Sequence, residues 1–343
     1  MEKLKKWVLI SLIISLISIL LLIIATINPT TLSCLTQIKP IYLVTAVVFH
    51  IISFFIWGAR MKIMSKALGY NISFISSLEI VASNLFVAAI TPSMAGGEPV
   101  RIYGLHHRGM PYGNATAVVL GERILDALLI LLAIPIALYI FKDFLPKKYE
   151  IIFMATTIGI FISIILLVYA MCYPESIKKI FRKIGKKISK IINPRKSQKI
   201  QKIILNIDTE IENFHKSLWT FLREGWYGLF LGAICTIAFW TIELMLPSLI
   251  LLGLNSDAAI FHSFASQIIL IMFMIIPITP GASGIAELGA KTLFSLFVNS
   301  SVIGILILAW RALTYYLNLL IGGVVSIKLL HDIDLIKEVM NKF

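Results

Sequence analysis

Eight ionisable side chains sit in or beside long apolar runs: Glu98, Arg101, Glu122, Arg123, Asp126, Glu243, Glu287 and Arg311. A charge at the centre of a bilayer costs about 2.5–3.5 kcal/mol even on the lenient insertion scale, so such groups must pair with one another or serve a function. Arginines in this setting offer charge-assisted hydrogen bonds suited to phosphate; carboxylates beside them neutralise the charge or carry protons. Glu122 and Asp126 lie one helical turn apart, with Arg123 three residues before Asp126, so the three act on one stretch of helix. Glycines accompany the charges, Gly96 and Gly97 before Glu98, and Gly281 and Gly284 before Glu287. They let backbone approach a ligand closely, and a helix beginning there turns free N–H groups and its positive dipole end toward an anion.

The two glycine-containing stretches match. Thr91-Pro92-Ser93-Met94-Ala95-Gly96-Gly97-Glu98 and Thr279-Pro280-Gly281-Ala282-Ser283-Gly284-Ile285-Ala286-Glu287 both read Thr-Pro, three residues, Gly and then a nearby Glu. Arg123 follows Glu98 at nearly the spacing at which Arg311 follows Glu287, and a long apolar run precedes each unit. Paired Gly/Pro-interrupted segments in corresponding positions point to a transporter's binding site at the interface of two repeats. Glu243, with Trp240 and Pro247, lies on the run before the second break, where it lines the same cavity or makes a helix-packing contact.

Composition says what must position these groups. The chain has 343 residues, 58% hydrophobic and only 14% charged, with a mean hydropathy of +0.91. That is an integral membrane protein, and apolar runs this long and unbroken by alternation are helices rather than strands. Runs fall at about 7–27, 41–59, 74–92, 115–140, 150–172, 226–252, 260–279 and 301–327. The N-terminal run is too long for a signal-peptide core and reads as a retained anchor.

Positive charge sets the topology. Lys3, Lys5 and Lys6 place the N-terminus inside, two crossings bring Arg60, Lys62 and Lys66 inside again, and the basic segment 174–223 belongs there too. Residues 74–114 must then leave and return on one side, as a re-entrant element. The loop Gly253–Ala258 carries no Lys or Arg and suits the outside, so residues 260–300, broken at Pro277, Pro280, Gly281 and Gly284, enter from there and return. The expected fold is all-α, with about six spanning helices plus two re-entrant, broken helical hairpins in an inverted-topology repeat. It forms one polytopic domain over 1–343, with a first repeat at about 41–140 and a second at about 226–328. Both termini face the cytoplasm, and the location is the cell membrane, multi-pass.

The net charge of +13 comes largely from segment 174–223, where Ile177, Ile180, Phe181, Ile184 and Ile188 recur at helical spacing among the lysines. That is an amphipathic helix on an anionic membrane surface, with docking of a partner as the alternative. It lacks a recognition motif or interleaved aromatics, which argues against nucleic acid. Cys34, Cys172 and Cys235 are too scattered for a disulfide framework or a zinc site. His106 and His107 are adjacent and point about 100° apart on a helix, so they do not share a metal. No Walker motif and no Asp-rich metal motif occurs, so neither ATP-driven pumping nor a lipid-phosphate transferase is expected. The protein is read as no enzyme, with no cofactor and no metal.

The segments Pro92–Arg101, Glu122-Arg123-Ile124-Leu125-Asp126, Pro277–Glu287 and Arg311-Ala312-Leu313-Thr314-Tyr315-Tyr316 together resemble the signature of one membrane family. It is the lysylphosphatidylglycerol synthase transmembrane family, also called UPF0104 or flippase-like, and the resemblance covers essentially the whole chain. Ala282 departs from it, standing where the family more often has a second glycine. Larger members append a transferase domain. This chain has none, so aminoacyl transfer is not implied. The resemblance implies movement of polar lipids between leaflets. The expected substrate is an anionic or polyprenyl-type lipid, its headgroup held by Arg101, Arg123, Arg311 and Tyr315, with Glu98, Glu287, Glu122 and Asp126 gating, carrying protons or neutralising the arginines. A transporter of a small anionic solute and a scaffold for a lipid-modifying enzyme are the competing classes, and a homodimer is compatible with either.

Overall fold

The computed structural model describes residues 37–91, 96–142, 225–274, 279 and 281–330, with scattered positions at 17, 144, 151–169 and 212–223. Most of the runs 7–27 and 150–172, Pro92–Ala95, Pro277, Pro280, the basic stretch 174–211 and the tail beyond 330 lie outside the described residues. Every element among the described residues is helical. We number them α1 Pro40–Ala67, α2 Phe74–Ile90, α3 Gly97–His107, α4 Tyr112–Ile140, α5 Trp226–Gly253, α6 Ile260–Met274, α7 Ile285–Phe294 and α8 Ser300–Arg311, then a π-helical segment Ala312–Leu317 and α9 Asn318–Leu330.

Local sequence sets the boundaries. Pro40 opens α1, where a missing N–H costs nothing. Gly69, at φ +86, closes it by donating to Lys66 O at 2.9 Å, while Tyr70 N reaches back to Ser65 O at 3.0 Å. Ser73 caps α2 by accepting from Ser76 N at 3.1 Å. Four stretches are long and apolar enough to cross a membrane, namely α1, α4, α5 and the continuous Ser300–Ser326. With 28 residues, α1 is about 42 Å long at 1.5 Å per residue, more than the hydrocarbon thickness. By the same measure α2, with 17 residues, and α6, with 15, reach only about 25 and 22 Å. Of the about six spans expected, four fall among the described residues, and the runs at 7–27 and 150–172 lie largely outside them.

α1 and α5 form the most extensive helix pair and run antiparallel. Lys39 N donates to Gly253 O at 2.8 Å at one end, and Gly225 and Gly228 pack on Ala67 at the other. α2 and α3 form a hairpin that opens at the Ala67 end, where Arg108 bonds Glu79 at 2.7 Å. α6 and α7 form a second hairpin that opens at the opposite end, where His262 packs 5.3 Å from Phe297. Each hairpin has its own apolar core. One joins Met61, Met64, Ile80, Leu105 and Val118, the other Ile250, Ile268, Ala286, Ile303 and Ile307.

The molecule is apolar outside and charged inside. Val44, Phe55, Leu132, Ile136, Phe230 and Ile237 are exposed on the long helices, while Arg60, Arg101, Glu122, Asp126, Glu287 and Arg311 are buried. That distribution suits a lipid solvent, in which charged groups turn toward the bundle interior.

Candidate functional site

Two charged clusters lie at the inner ends of the hairpins. In the first, α3 starts at Gly97, so Glu98 falls in its opening turn and Arg101 three residues later on the same face. Arg101 Nη1 donates to Glu98 Oε2 at 3.0 Å, and its Nη2 pairs with Glu122 of α4. Arg123 Nε lies 2.7 Å from Glu98 Oε1, and its Nη1 donates to Asp126 Oδ2 at 3.1 Å. Arg60 of α1 donates from Nη1 to Asp126 Oδ1 at 2.7 Å and to Thr236 Oγ1 of α5 at 2.9 Å. Trp240 Nε1 donates to Asp126 Oδ1 at 3.0 Å. The indole of Trp57 has the guanidinium carbons of Arg60, Arg101 and Arg123 at 5.9, 5.4 and 5.6 Å from its ring centre.

Three guanidinium groups therefore face three carboxylates, and their formal charges cancel. Arg60, Arg101, Glu122 and Asp126 are buried, whereas Glu98 and Arg123 keep 33% and 35% of their side-chain surface exposed. The cluster opens at that pair. Behind it, Arg60 Nε, Arg101 Nε and Glu122 Oε1 are buried with no hydrogen-bond partner, so the polar capacity of the site is not exhausted by its own contacts.

The second cluster is sealed. Arg311 donates from Nε to Glu287 Oε1 at 2.9 Å and from Nη2 to Ser283 Oγ at 3.1 Å. The other Glu287 oxygen accepts from Gly284 N at 2.6 Å, capping α7. Arg311 stands 4.1 Å from the ring centre of Tyr315, one turn into the π-helical segment, and both members of the ion pair are buried. An irregular turn of this kind is frequent at functional sites.

The hairpin tips touch. Gly281 N donates to Thr91 O at 3.1 Å, and Tyr315 Oη donates to Ala89 O at 3.3 Å. Gly281 has φ +56, and a Cβ there would lie 2.6 Å from Ala89 O, so glycine is required on both counts. At the other tip, Gly96 N donates to Thr91 Oγ1 at 3.0 Å and Gly97 packs on Asn84. The N–H groups of Gly96 and Gly284 are thus taken up by the chain's own acceptors rather than turned toward a ligand.

Ala282, between these glycines, has φ +53. An L-residue in that region costs roughly 1–2 kcal/mol. Ala282→Gly is therefore expected to stabilise the protein by about 1 kcal/mol, read as a rise in the unfolding midpoint in detergent. A lower midpoint would show that the alanine methyl, which is buried, contributes more by packing than it costs in backbone strain.

The sequence-predicted residues Glu98, Arg101, Glu122, Arg123 and Asp126 come together in one cluster, and Glu287, Arg311 and Tyr315 in the other. The Glu and Arg matched by spacing in each unit are in direct contact, Arg123 with Glu98 and Arg311 with Glu287. Trp240, expected beside Glu243 to line the cavity or pack between helices, donates to Asp126, whereas Arg60, Trp57, Thr236 and Ser283 are not among the expected residues. The charge rule sets Arg60 with Lys62 and Lys66 at the cytoplasmic end of the run 41–59, but α1 continues to Ala67 and buries Arg60, leaving Lys62 and Lys66 as the basic end of the helix. The signal is in the sequence: Arg60 sits three residues after Trp57, at helical spacing, in a segment with no proline and the single glycine Gly58 before Gly69. His106 packs on Tyr112 at 3.7 Å and His107 on Tyr103 at 6.3 Å, on different partners, as their spacing implies.

The family model for the lysylphosphatidylglycerol synthase TM region matches residues 8–322, an interval that contains both clusters. The chain belongs to that family. Among curated relatives, a UPF0104 membrane protein of Archaeoglobus fulgidus is 33% identical over 86% of this chain and 88% of its own length. UPF0104 membrane proteins of Methanocaldococcus jannaschii and Pyrococcus horikoshii are 26% and 24% identical, covering 88% and 84% of this chain and 88% and 87% of their own lengths. No solved structure matches the family member described here.

Proposed function

We propose that this membrane protein moves a lipid with an anionic headgroup between leaflets, with no enzymatic step, through the arginine cluster at the meeting point of two re-entrant hairpins. The observation that carries the reading is Glu98. Its half-open carboxylate bridges Arg101 and Arg123, one oxygen to each, and stands where the phosphate of a headgroup would bind. The headgroup displaces Glu98 and takes over both arginines, while Arg60, Glu122 and Asp126 hold the frame behind them. The acyl chains stay in the bilayer beside the apolar exterior. Membership in a family named for a lysylphosphatidylglycerol synthase region agrees with a lipid substrate.

The packing supports an inverted repeat. α1 and α5, the first helices of the two units, are antiparallel, and the second helix of each unit packs on the last of the other, α2 on α9 and α6 on α4. Lys62, Lys66, Arg108 and Arg223 collect around the end at which the α2–α3 hairpin opens, which we assign to the cytoplasm. After Cys34, Cys172 and Cys235 are replaced by serine, cysteines at Lys66 and His107 are expected to react with an impermeant thiol reagent from one side, and those at Asp257 and Ser300 from the other. Labelling of Lys66→Cys and His107→Cys from opposite sides would break the re-entrant reading.

The function is tested by reconstituting the purified protein into phosphatidylcholine vesicles containing fluorescent phosphatidylglycerol and measuring the fraction of label exchanged across the bilayer. Protein-dependent exchange supports the proposal. Uptake of free phosphate or sulfate without lipid exchange favours a small-anion transporter. Activity that appears only with a lipid-modifying enzyme favours a scaffold.

A further inference from the structure

A second polar junction is buried away from the arginines, between α1, α5 and the start of α9. His50, 5% exposed, places Nδ1 2.8 Å from Glu243 Oε1 and Nε2 3.0 Å from Asn318 Oδ1. Asn318 Nδ2 donates to Thr314 O at 2.7 Å, which turns the amide oxygen toward the ring. A carboxylate and an amide oxygen are both acceptors, so both ring nitrogens must donate, which only the doubly protonated imidazolium can do. Ser53 Oγ completes the junction by donating to His50 O at 2.8 Å and contacting the same Glu243 oxygen.

Other charges near α1 are engaged elsewhere. From α2, Glu79 is bound by Arg108. From α4, Glu122, Arg123 and Asp126 belong to the arginine cluster. From α5, Cys235 lies two turns from Glu243. From the π-helical segment, Tyr315 is on Ala89 O, and Tyr316 packs its ring 5.2 Å from that of Tyr315. Among the described residues, Glu243 is the titratable group that bonds the His50 ring.

We propose that His50, Glu243 and Asn318 form a proton-binding site, separate from the lipid groove, that controls the contact between the two hairpin tips. When the ring gives up a proton to solvent from Nε2, its bare lone pair faces Asn318 Oδ1, and the amide must turn. Turning removes the Asn318 bond from Thr314 O, inside the π-helical segment, and leaves the Glu243 carboxylate without a cationic partner. A π turn carries one extra residue and relaxes to α by a small register shift. Tyr315, which donates to Ala89 O and packs on Arg311, moves with that register. Trp240 extends the connection, since it donates to Asp126 from one turn before Glu243 on α5. As a proton site this stands by itself. As the site of the coupling ion it rests on the transport reading.

Nitrogen-15 spectra of ring-labelled full-length protein in nanodiscs test it. His50 is assigned either in a chain whose other five histidines are glutamine or by its loss in His50→Gln, so a variant that fails to fold does not end the experiment. The expected result is a ring protonated at both nitrogens in acid that loses one proton as the pH is raised. A ring with one bare nitrogen throughout, or one that never deprotonates, overturns the proposal. In the vesicle assay, a gradient of about one pH unit should skew lipid distribution up to roughly tenfold for one proton per lipid, and His50→Gln should abolish the skew. Lipid exchange that ignores the gradient in the wild type overturns the coupling while leaving transport standing. A titrating His50 in a protein that exchanges no lipid upholds the proton site and sinks the transport reading instead.

Discussion

Replacing Arg311 with methionine is expected to destabilise the protein by about 3–5 kcal/mol, because it strands the Glu287 carboxylate in a buried site. Both side chains are almost fully covered. The remaining oxygen of Glu287 still caps α7 through Gly284 N, so the charge cannot swing away without also opening the helix. Adding Glu287→Gln removes the stranded charge and keeps a carbonyl oxygen for Gly284. The double variant should therefore recover most of the loss, which a thermal or denaturant unfolding series in detergent would read. A single-variant cost below about 1 kcal/mol would show that solvent reaches the pair.

This sealed pair and the open cluster begin from nearly the same motif, and the difference lies in the third element. At the second break, Arg311 reaches Glu287 directly and Ser283 takes a remaining N–H. At the first, α1 contributes Arg60, which binds Asp126 and Glu122 from behind and leaves Glu98 to hold Arg101 and Arg123 at the surface. One break thus makes a buried ion pair and the other a half-exposed one. The asymmetry explains why a single lipid path is proposed although the chain repeats its motif.

Much of this was legible in the sequence because lipid solvent magnifies the signals. A charge or a Thr-Pro-x-x-x-Gly break inside an apolar run is costly, so Glu98, Arg123, Glu287 and Arg311 stand out in the sequence; their matched spacing points to a repeat, and the structure adds that each Glu contacts its Arg. Helix ends were less legible. α1 runs on past the apolar stretch to Ala67, because three basic residues in its last turns do not break a helix, and that concealed Arg60. The His50 junction was hidden for a different reason. His50, Glu243 and Asn318 are each isolated in sequence, and only the packing of α1 against α5 and the start of α9 brings them together. The uses of Gly96 and Gly284 are also beyond the reach of the sequence, since nothing in it shows that Thr91 and Glu287 take up their N–H groups.

Glu98→Gln and Arg123→Gln should move lipid binding in opposite directions. Glu98 competes with the headgroup for two guanidinium groups, and hydrogen bonds to charged groups contribute about 1.5–3 kcal/mol each. Removing its charge leaves Arg101 and Arg123 with a net positive demand, so Glu98→Gln is expected to bind an anionic headgroup about tenfold more tightly, or 1.4 kcal/mol. Transport need not rise with it, because a headgroup held tightly leaves slowly. Arg123→Gln removes one of the two phosphate donors and should lower binding and exchange of phosphatidylglycerol by about 10- to 100-fold. Its stability should change little, since the side chain is one-third exposed and Asp126 keeps Arg60. The contrast with Arg311 is the decisive part. A groove predicts that Arg123 governs exchange and Arg311 governs folding, whereas a purely structural ion-pair network predicts that both variants lose stability and activity together. Equal binding by wild type and Glu98→Gln would remove Glu98 from the lipid's place.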